Sequence, residues 1–183
     1  MTKTFGILWL LLVLGGCASP KVQFHTLMPP PEQALETRPD AAAIQLEQVL
    51  VPAYVDRSEL VVRQGDTGLV VLSSDWWGAT LAEEIRSALM ARLAASSGQG
   101  EPVRVAVRLT RFDAVAGRGA WVTARYRVSA GKRSLLCISE QHTRAGEGVE
   151  SLVTALQTSV AGLADEILAA SRAGSDSWRC PGP

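Results

Sequence analysis

Cys17 is the residue best placed for chemistry. It follows Leu14-Gly15-Gly16, so a bulky apolar residue stands three before the thiol, with two small residues between. That spacing resembles the bacterial lipobox. Small residues let an extended chain enter a peptidase site, and the thiol takes up diacylglycerol as a thioether before cleavage. Upstream, Lys3 precedes an uncharged apolar run over 5–14, the pattern of a signal peptide. The run is too short to span a bilayer as a mature helix, which takes roughly 20 residues. A secreted protein with an incidental Cys beside its cleavage site is the alternative. Two or three acyl chains hold a protein firmly, at about 0.8 kcal/mol per buried methylene. Ala18, not an inner-membrane-retaining Asp, follows the Cys, which points to the outer membrane.

Two other thiols remain, Cys137 and Cys180. The compartment is oxidising, so the pair is a disulfide candidate that would close a loop of about 40 residues. Two separate buried thiols are the other reading. The polar tail around Cys180 speaks against it, because a free thiol there would be exposed. A bridge would pin Trp178 against the domain.

The remaining chemistry is sparse. The only histidines, His25 and His142, have no adjacent carboxylate–Cys cluster in sequence. A triad or zinc site would need them, and strand or surface positions are the plainer reading. Asp56 with Glu59, and Asp75 with Glu83 and Glu84, read as turn, helix cap and solvated helix face. Gly117-Arg118-Gly119 sits between strands, without the helix a phosphate loop requires. No cofactor or metal is implied, and the expectation is a non-enzymatic protein. Lys plus Arg number 18, as do Asp plus Glu. Removal of the signal leaves 17 basic and 18 acidic residues. A broad footprint for nucleic acid is not expected.

Arginines are more telling. Arg104, Arg108, Arg125 and Arg127 fall on the non-core faces of neighbouring strands, with Trp121 among them. Three readings stand: a surface for phosphate or lipid head groups, a protein interface rich in Trp and Arg, or Arg stems covering a sheet. Trp76 points sideways or outward from a helix start, toward a partner or interfacial lipid, or packs under the Pro29-Pro30-Pro31 loop.

These side chains need a scaffold. A weak strand is expected over 22–27, then the proline segment, then a strand from Ile44 that stops near Pro52. Residues 60–63 and 69–72 flank Gly65-Asp66-Thr67-Gly68 as a hairpin. A helix capped by Ser74 or Asp75 would carry Trp77, Leu81, Ile85, Leu89 and Leu93 as one stripe. If it starts later, Thr80 and Glu83 form a capping box. Val103, Val105, Val107 and Leu109 alternate with polar partners, and Phe112 continues through a bulge or turn. Strands near 120–129 and 133–143 complete an antiparallel meander, and 149–170 is a second amphipathic helix. No second apolar run long enough to span a membrane is read. The expected fold is α+β: a mixed, largely antiparallel sheet with two principal amphipathic helices packed on it. Residues 1–16 form the signal, 17–174 one domain, and 175–183 a tail.

Val51-Pro52-Ala53-Tyr54-Val55-Asp56-Arg57, then Leu60-Val61-Val62-Arg63, is the most distinctive stretch. With the lipobox, Phe24-His25-Thr26-Leu27, the Trp77 region and Arg111-Phe112-Asp113, it resembles the auxiliary lipoproteins of ABC-type transporters, the PqiC-like family. The resemblance covers nearly all the mature chain. It implies an outer-membrane lipoprotein subunit that docks an MCE-domain periplasm-spanning protein, works with inner-membrane transporter components, and supports membrane integrity. It also implies a ring-like homo-oligomer. The motif residues Pro52, Tyr54, Asp56 and Arg57 are expected to build a turn, with Asp56 accepting backbone hydrogen bonds, Tyr54 packing and Arg57 bridging strands. A lipoprotein that itself binds lipid between sheet and helices is the alternative function.

Overall fold

The computed structural model describes residues 21–30, 43–94, 102–171 and 178–181. Cys17, the signal segment and Pro31 lie outside them. The strands are β1 (Gln23–His25), β2 (Ile44–Leu50), β3 (Glu59–Gln64), β4 (Gly68–Trp77), β5 (Val103–Val115), β6 (Gly119–Ala130) and β7 (Arg133–Thr143). Among the described residues two helices, α1 (Leu81–Leu93) and α2 (Val149–Ala170), complete the α+β fold. The sheet runs β1-β4-β3-β5-β6-β7, with β2 also paired to β5.

The meander β5-β6-β7 is antiparallel throughout its length. Its apolar alternation buries Ala120, Val122, Ala124, Tyr126 and Val128 under α2. Parallel pairings bring in β1, β2 and β3 from distant sequence. Strands β2 and β3 lie along the same edge of β5, one after the other. The first partners 103–108 of β5, and the second partners only Ala114 and Val115. The loop after Pro52 spans the gap. Pro52 has no N–H to donate, so β2 stops before it.

The first helix starts later than Ser74 or Asp75. Both belong to β4, and so do Trp76 and Trp77, because β1 and β3 supply strand partners on either side. Thr80 caps α1 by accepting from the Glu83 N–H. The stripe Leu81, Ile85, Leu89 and Leu93 is buried as the spacing of four requires. Trp77 instead packs edge-on against Phe112 from the sheet. Arg86 on α1 donates to the carbonyls of Leu46 and Glu47, where a bulge in β2 breaks the ladder. Arg92 forms a two-pronged pair with Asp165 that ties α1 to α2.

By length and hydropathy α2 is apolar enough to cross a membrane, contrary to the reading that no second run was. It is a core helix instead: 56% of its most apolar window is buried in the domain. Glu84, expected on a solvated face, is buried. Its carboxylate accepts from the Thr26 hydroxyl at 2.7 Å and the Leu27 N–H at 2.9 Å, anchoring the exit of β1 to α1.

Candidate functional site

The Pro52 loop closes on its own backbone. The Val55 N–H donates to Pro52 O, and the Arg57 N–H to Val55 O. Asp56 takes no part: it is exposed and its carboxylate has no hydrogen bond among the described residues. Arg57 does not bridge strands but pairs with Glu59, two residues on. Tyr54 is the residue that reaches across. Its hydroxyl donates to Asp113 Oδ1 at 3.0 Å and accepts from the Phe112 N–H at 3.1 Å. Phe112 lies where β5 has lost β2 and not yet gained β3, so the phenol fills in for a missing strand.

Asp113 is the buried hub of this cluster, at 3% exposure. Arg63 Nη2 donates to Oδ1 at 3.1 Å, and its Nε lies 3.1 Å from Oδ2, within ion-pair range but not aligned as a hydrogen bond. Arg111 Nε donates to Oδ2 at 2.6 Å. Burial pushes the Asp113 carboxyl up, but hydrogen bonds from Arg63, Arg111 and Tyr54 together outweigh it and hold the group below its usual range. Burial pushes the Tyr54 phenol up; the Phe112 bond opposes this and the Asp113 charge reinforces it. Three sequence features, at 54, 63 and 113, thus converge on one carboxylate. Beside it an open cleft of about 540 Å³ is lined by Tyr54, Arg63, Arg111, Arg118 and Trp121.

Trp121 is half-buried on the helix-free face of the sheet. It stacks on His142 at 4.3 Å between ring centroids, and the Arg111 guanidinium lies 5.6 Å from its centroid. Sequence spacing gave no sign of this stack, which depends on the β6–β7 register Trp121↔His142.

The arginines divide. Arg104 is paired with Glu47 at 3.4 Å. Arg108, Arg125 and Arg127 are exposed, with no ion pair among the described residues. Arg108 and Arg125 are register partners, two like charges directly opposite each other, which costs stability. Next along the same rows are Ile138, opposite Arg125, and Leu136, opposite Arg127. They are 58% and 59% exposed. The face is therefore a cationic patch with an aliphatic edge.

At the other end of the sheet, Trp76 is half-buried in register with Phe24. Its indole N–H donates to Ser73 O at 3.0 Å. His25 Nε2 lies 2.8 Å from Asp75 Oδ1, and the Ser74 hydroxyl donates to Asp75 Oδ2. The hydroxyl thus bonds the carboxylate and not the imidazole, the wrong order to activate a serine nucleophile. Asp75 is a strand residue holding His25, not a helix cap. Among the described residues, no group of three or more His, Cys, Asp or Glu could hold a metal ion. Cys137 and Cys180 are joined, with Cα atoms 5.5 Å apart, and Trp178 packs on the core beside the bridge.

A family model for the ABC-type transport auxiliary lipoprotein component matches residues 25–168, which include β1, the Tyr54–Asp113 cluster and nearly all of α2. The chain belongs to the ABC-type transport auxiliary lipoprotein family. Two solved structures share the auxiliary-lipoprotein chain's architecture. One, described as an uncharacterized protein, has a TM-score of 0.63 at 14% identity and covers 81% of this chain and 98% of its own. The other, a Xanthomonas campestris protein of the DUF330 family, has a TM-score of 0.55 at 12% identity, covering 81% and 92%. At such identity they speak to fold alone. No curated protein matches in sequence. As a transport auxiliary lipoprotein the chain works in an envelope-associated setting with an ABC-type system.

Proposed function

We propose that this auxiliary lipoprotein is a non-enzymatic docking subunit of an MCE-type lipid-transport system. It is held in the outer membrane by acylated Cys17 and faces the periplasm. In this reading it receives the periplasm-spanning MCE-domain protein, whose other end meets the inner-membrane components, and it assembles as a homo-oligomer. The observation that supports the reading best is the helix-free face of β5-β6-β7. Among the described residues Arg108, Arg125 and Arg127 have no counter-ion there, and Leu136 and Ile138 stand more than half exposed beside them. An acidic partner surface relieves the Arg108–Arg125 repulsion, and the two aliphatics supply the apolar centre that interfaces need. The Tyr54–Asp113 cluster lies on the same face, at the far end of β5, where Asp113 is in register with Trp121. A second groove, of about 610 Å³ between α1, α2 and Pro29-Pro30, has a mixed lining that includes Leu27, Ala88 and Val160 beside Gln141, Gln157 and Asp165, and is where the alternative, an independent lipid binder, would hold its ligand.

The test is in-cell photocrosslinking from Ile138 and Arg125, with Thr154 on α2 as control, followed by mass spectrometry. The expected products are an MCE-domain protein from the sheet face and self-crosslinks, with little from α2. Absence of an MCE partner, together with unchanged detergent and bile-salt tolerance after gene loss, would overturn the reading.

A further inference from the structure

Phe24 is the most exposed large apolar side chain among the described residues, at 70%. Val22, two residues earlier on the same side of the chain, is 45% exposed. Trp76 lies beside Phe24 in register, and exposed Lys21 precedes them. Isolated exposed hydrophobes need no explanation, but this group forms one patch on the edge strand.

Its position in the chain is the second observation. Val22 is five residues beyond Cys17, and an extended chain covers at most about 3.6 Å per residue. A lipid attached at Cys17 therefore holds Val22 within about 18 Å of the membrane surface whatever the domain does. An aromatic, an aliphatic and a Lys on so short a leash suit the interfacial zone, where rings sit among head groups and Lys meets phosphate.

The geometry points to a membrane-resting edge. We propose that Val22, Phe24 and Trp76 lie in the outer-membrane interface, so the β1 edge fixes the domain's orientation instead of leaving it to swing on its tether. The proposal rests on the reading of Cys17 as the lipid anchor. The rest of the sheet accommodates it. Five steps from β1 to β7, at roughly 4.8 Å each, place Ile138 about 24 Å from the β1 edge. A twist of roughly 20–25° per step turns the sheet face at β7 by about 100° or more from that at β1. The aromatic patch then meets lipid while the arginine face looks sideways into the periplasm.

The experiment uses the full acylated protein, reconstituted in phosphatidylcholine–phosphatidylglycerol vesicles. A Phe24→Trp variant reports the β1 edge and an Ile138→Trp variant the far edge. Each is read as the change from wild type in quenching by dibrominated phosphatidylcholine and by aqueous acrylamide. The expected result is an added indole at 24 quenched several-fold more by bromolipid than the one at 138, and shielded from acrylamide. An indole at 24 quenched by acrylamide but not by bromolipid overturns the proposal. Shielding from both means that a second copy or a protein partner covers the patch, and also overturns it. Intact mass separates the two ideas. Protein lacking the acyl chains refutes the anchor and this orientation with it, whereas acylated protein with an acrylamide-exposed indole refutes the orientation alone.

Discussion

Tyr54→Phe removes one oxygen and tests what the Pro52 loop is for. The lost hydroxyl leaves the Phe112 N–H stranded at the gap between β2 and β3, and takes one donor from Asp113. An unsatisfied buried amide costs about 1–3 kcal/mol, and a hydrogen bond to a charged acceptor is worth about 1.5–3 kcal/mol. Asp113 keeps Arg63 and Arg111, so the second loss sits at its low end. The expected total is about 2.5–4.5 kcal/mol, or a urea midpoint lower by roughly 1–2 M at ordinary m-values. Asp56→Ala, in the same loop but exposed, should shift stability by less than about 0.5 kcal/mol. Equilibrium urea unfolding of the disulfide-intact domain reads both. A Tyr54→Phe loss below about 0.5 kcal/mol, no larger than that of Asp56→Ala, would refute the idea that the phenol completes the β5 ladder.

Asp113 gives the same cluster a pH signature. Its carboxyl is held below the unfolded value, so its stabilising share is complete above about pH 4 and drains away as pH falls through the lower native value. Asp113→Asn should start less stable at pH 6 and lose less of its urea midpoint between pH 5 and pH 3 than wild type; equal slopes would contradict this. Replacing Cys137 and Cys180 with Ser should cost up to about 4 kcal/mol by loop-closure entropy, read as a fall in Tm that reductant reproduces in the wild type. A far smaller fall would mean that the reduced tail regains most of that entropy. Gly119→Ala puts a Cβ into the Thr143 carbonyl at φ +138°, whereas Gly117→Ala at φ +68° meets nothing within 4 Å. The first should cost about 2–3 kcal/mol and the second about 1 kcal/mol in urea unfolding. Glu84→Ala strips partners from the Thr26 hydroxyl and the Leu27 N–H, so stability should fall by about 2–4 kcal/mol and amide exchange at Leu27 should accelerate.

Local patterns carried the elements a long way. The alternation of Val103 to Leu109, the spacing of four from Leu81 to Leu93, and the apolar face of 149–170 each reflect one face turned to a core, and such periodicity is written in neighbouring residues. The irregularity expected near Phe112, a bulge or turn, is a bulge between Leu109 and Arg111, and β2 ends before Pro52, which lacks the N–H a ladder needs. Trp77 misled because Ser73-Ser74-Asp75 has the chemistry of a helix cap. Pairing with β1, about 50 residues earlier, and with Glu59 of β3 makes that stretch a strand. Glu84 misled because a carboxylate at a helix start ordinarily faces water; the Thr26 and Leu27 donors that bury it come from a segment 57–58 residues away.

Tyr54, Arg63 and Asp113 stood out singly in the sequence, as parts of separate motifs, yet nothing in their spacing said that they meet. The same holds for Trp121 on His142, for Arg108 opposite Arg125, and for Phe24 beside Trp76. Cys17 and its flanking residues are the opposite case. In the reading of Cys17 as the lipid anchor, a peptidase and an acyltransferase would meet that stretch as extended chain, so the reading needs no fold. The lipobox-like stretch, the two helices and the meander were therefore legible along the chain, the helices and the meander because contacts between near neighbours set them. Which side chains share the buried carboxylate, which arginines have no counter-ion among the described residues and where the exposed aromatic edge lies come from the tertiary structure. Each of those depends on the register of strands far apart in the chain.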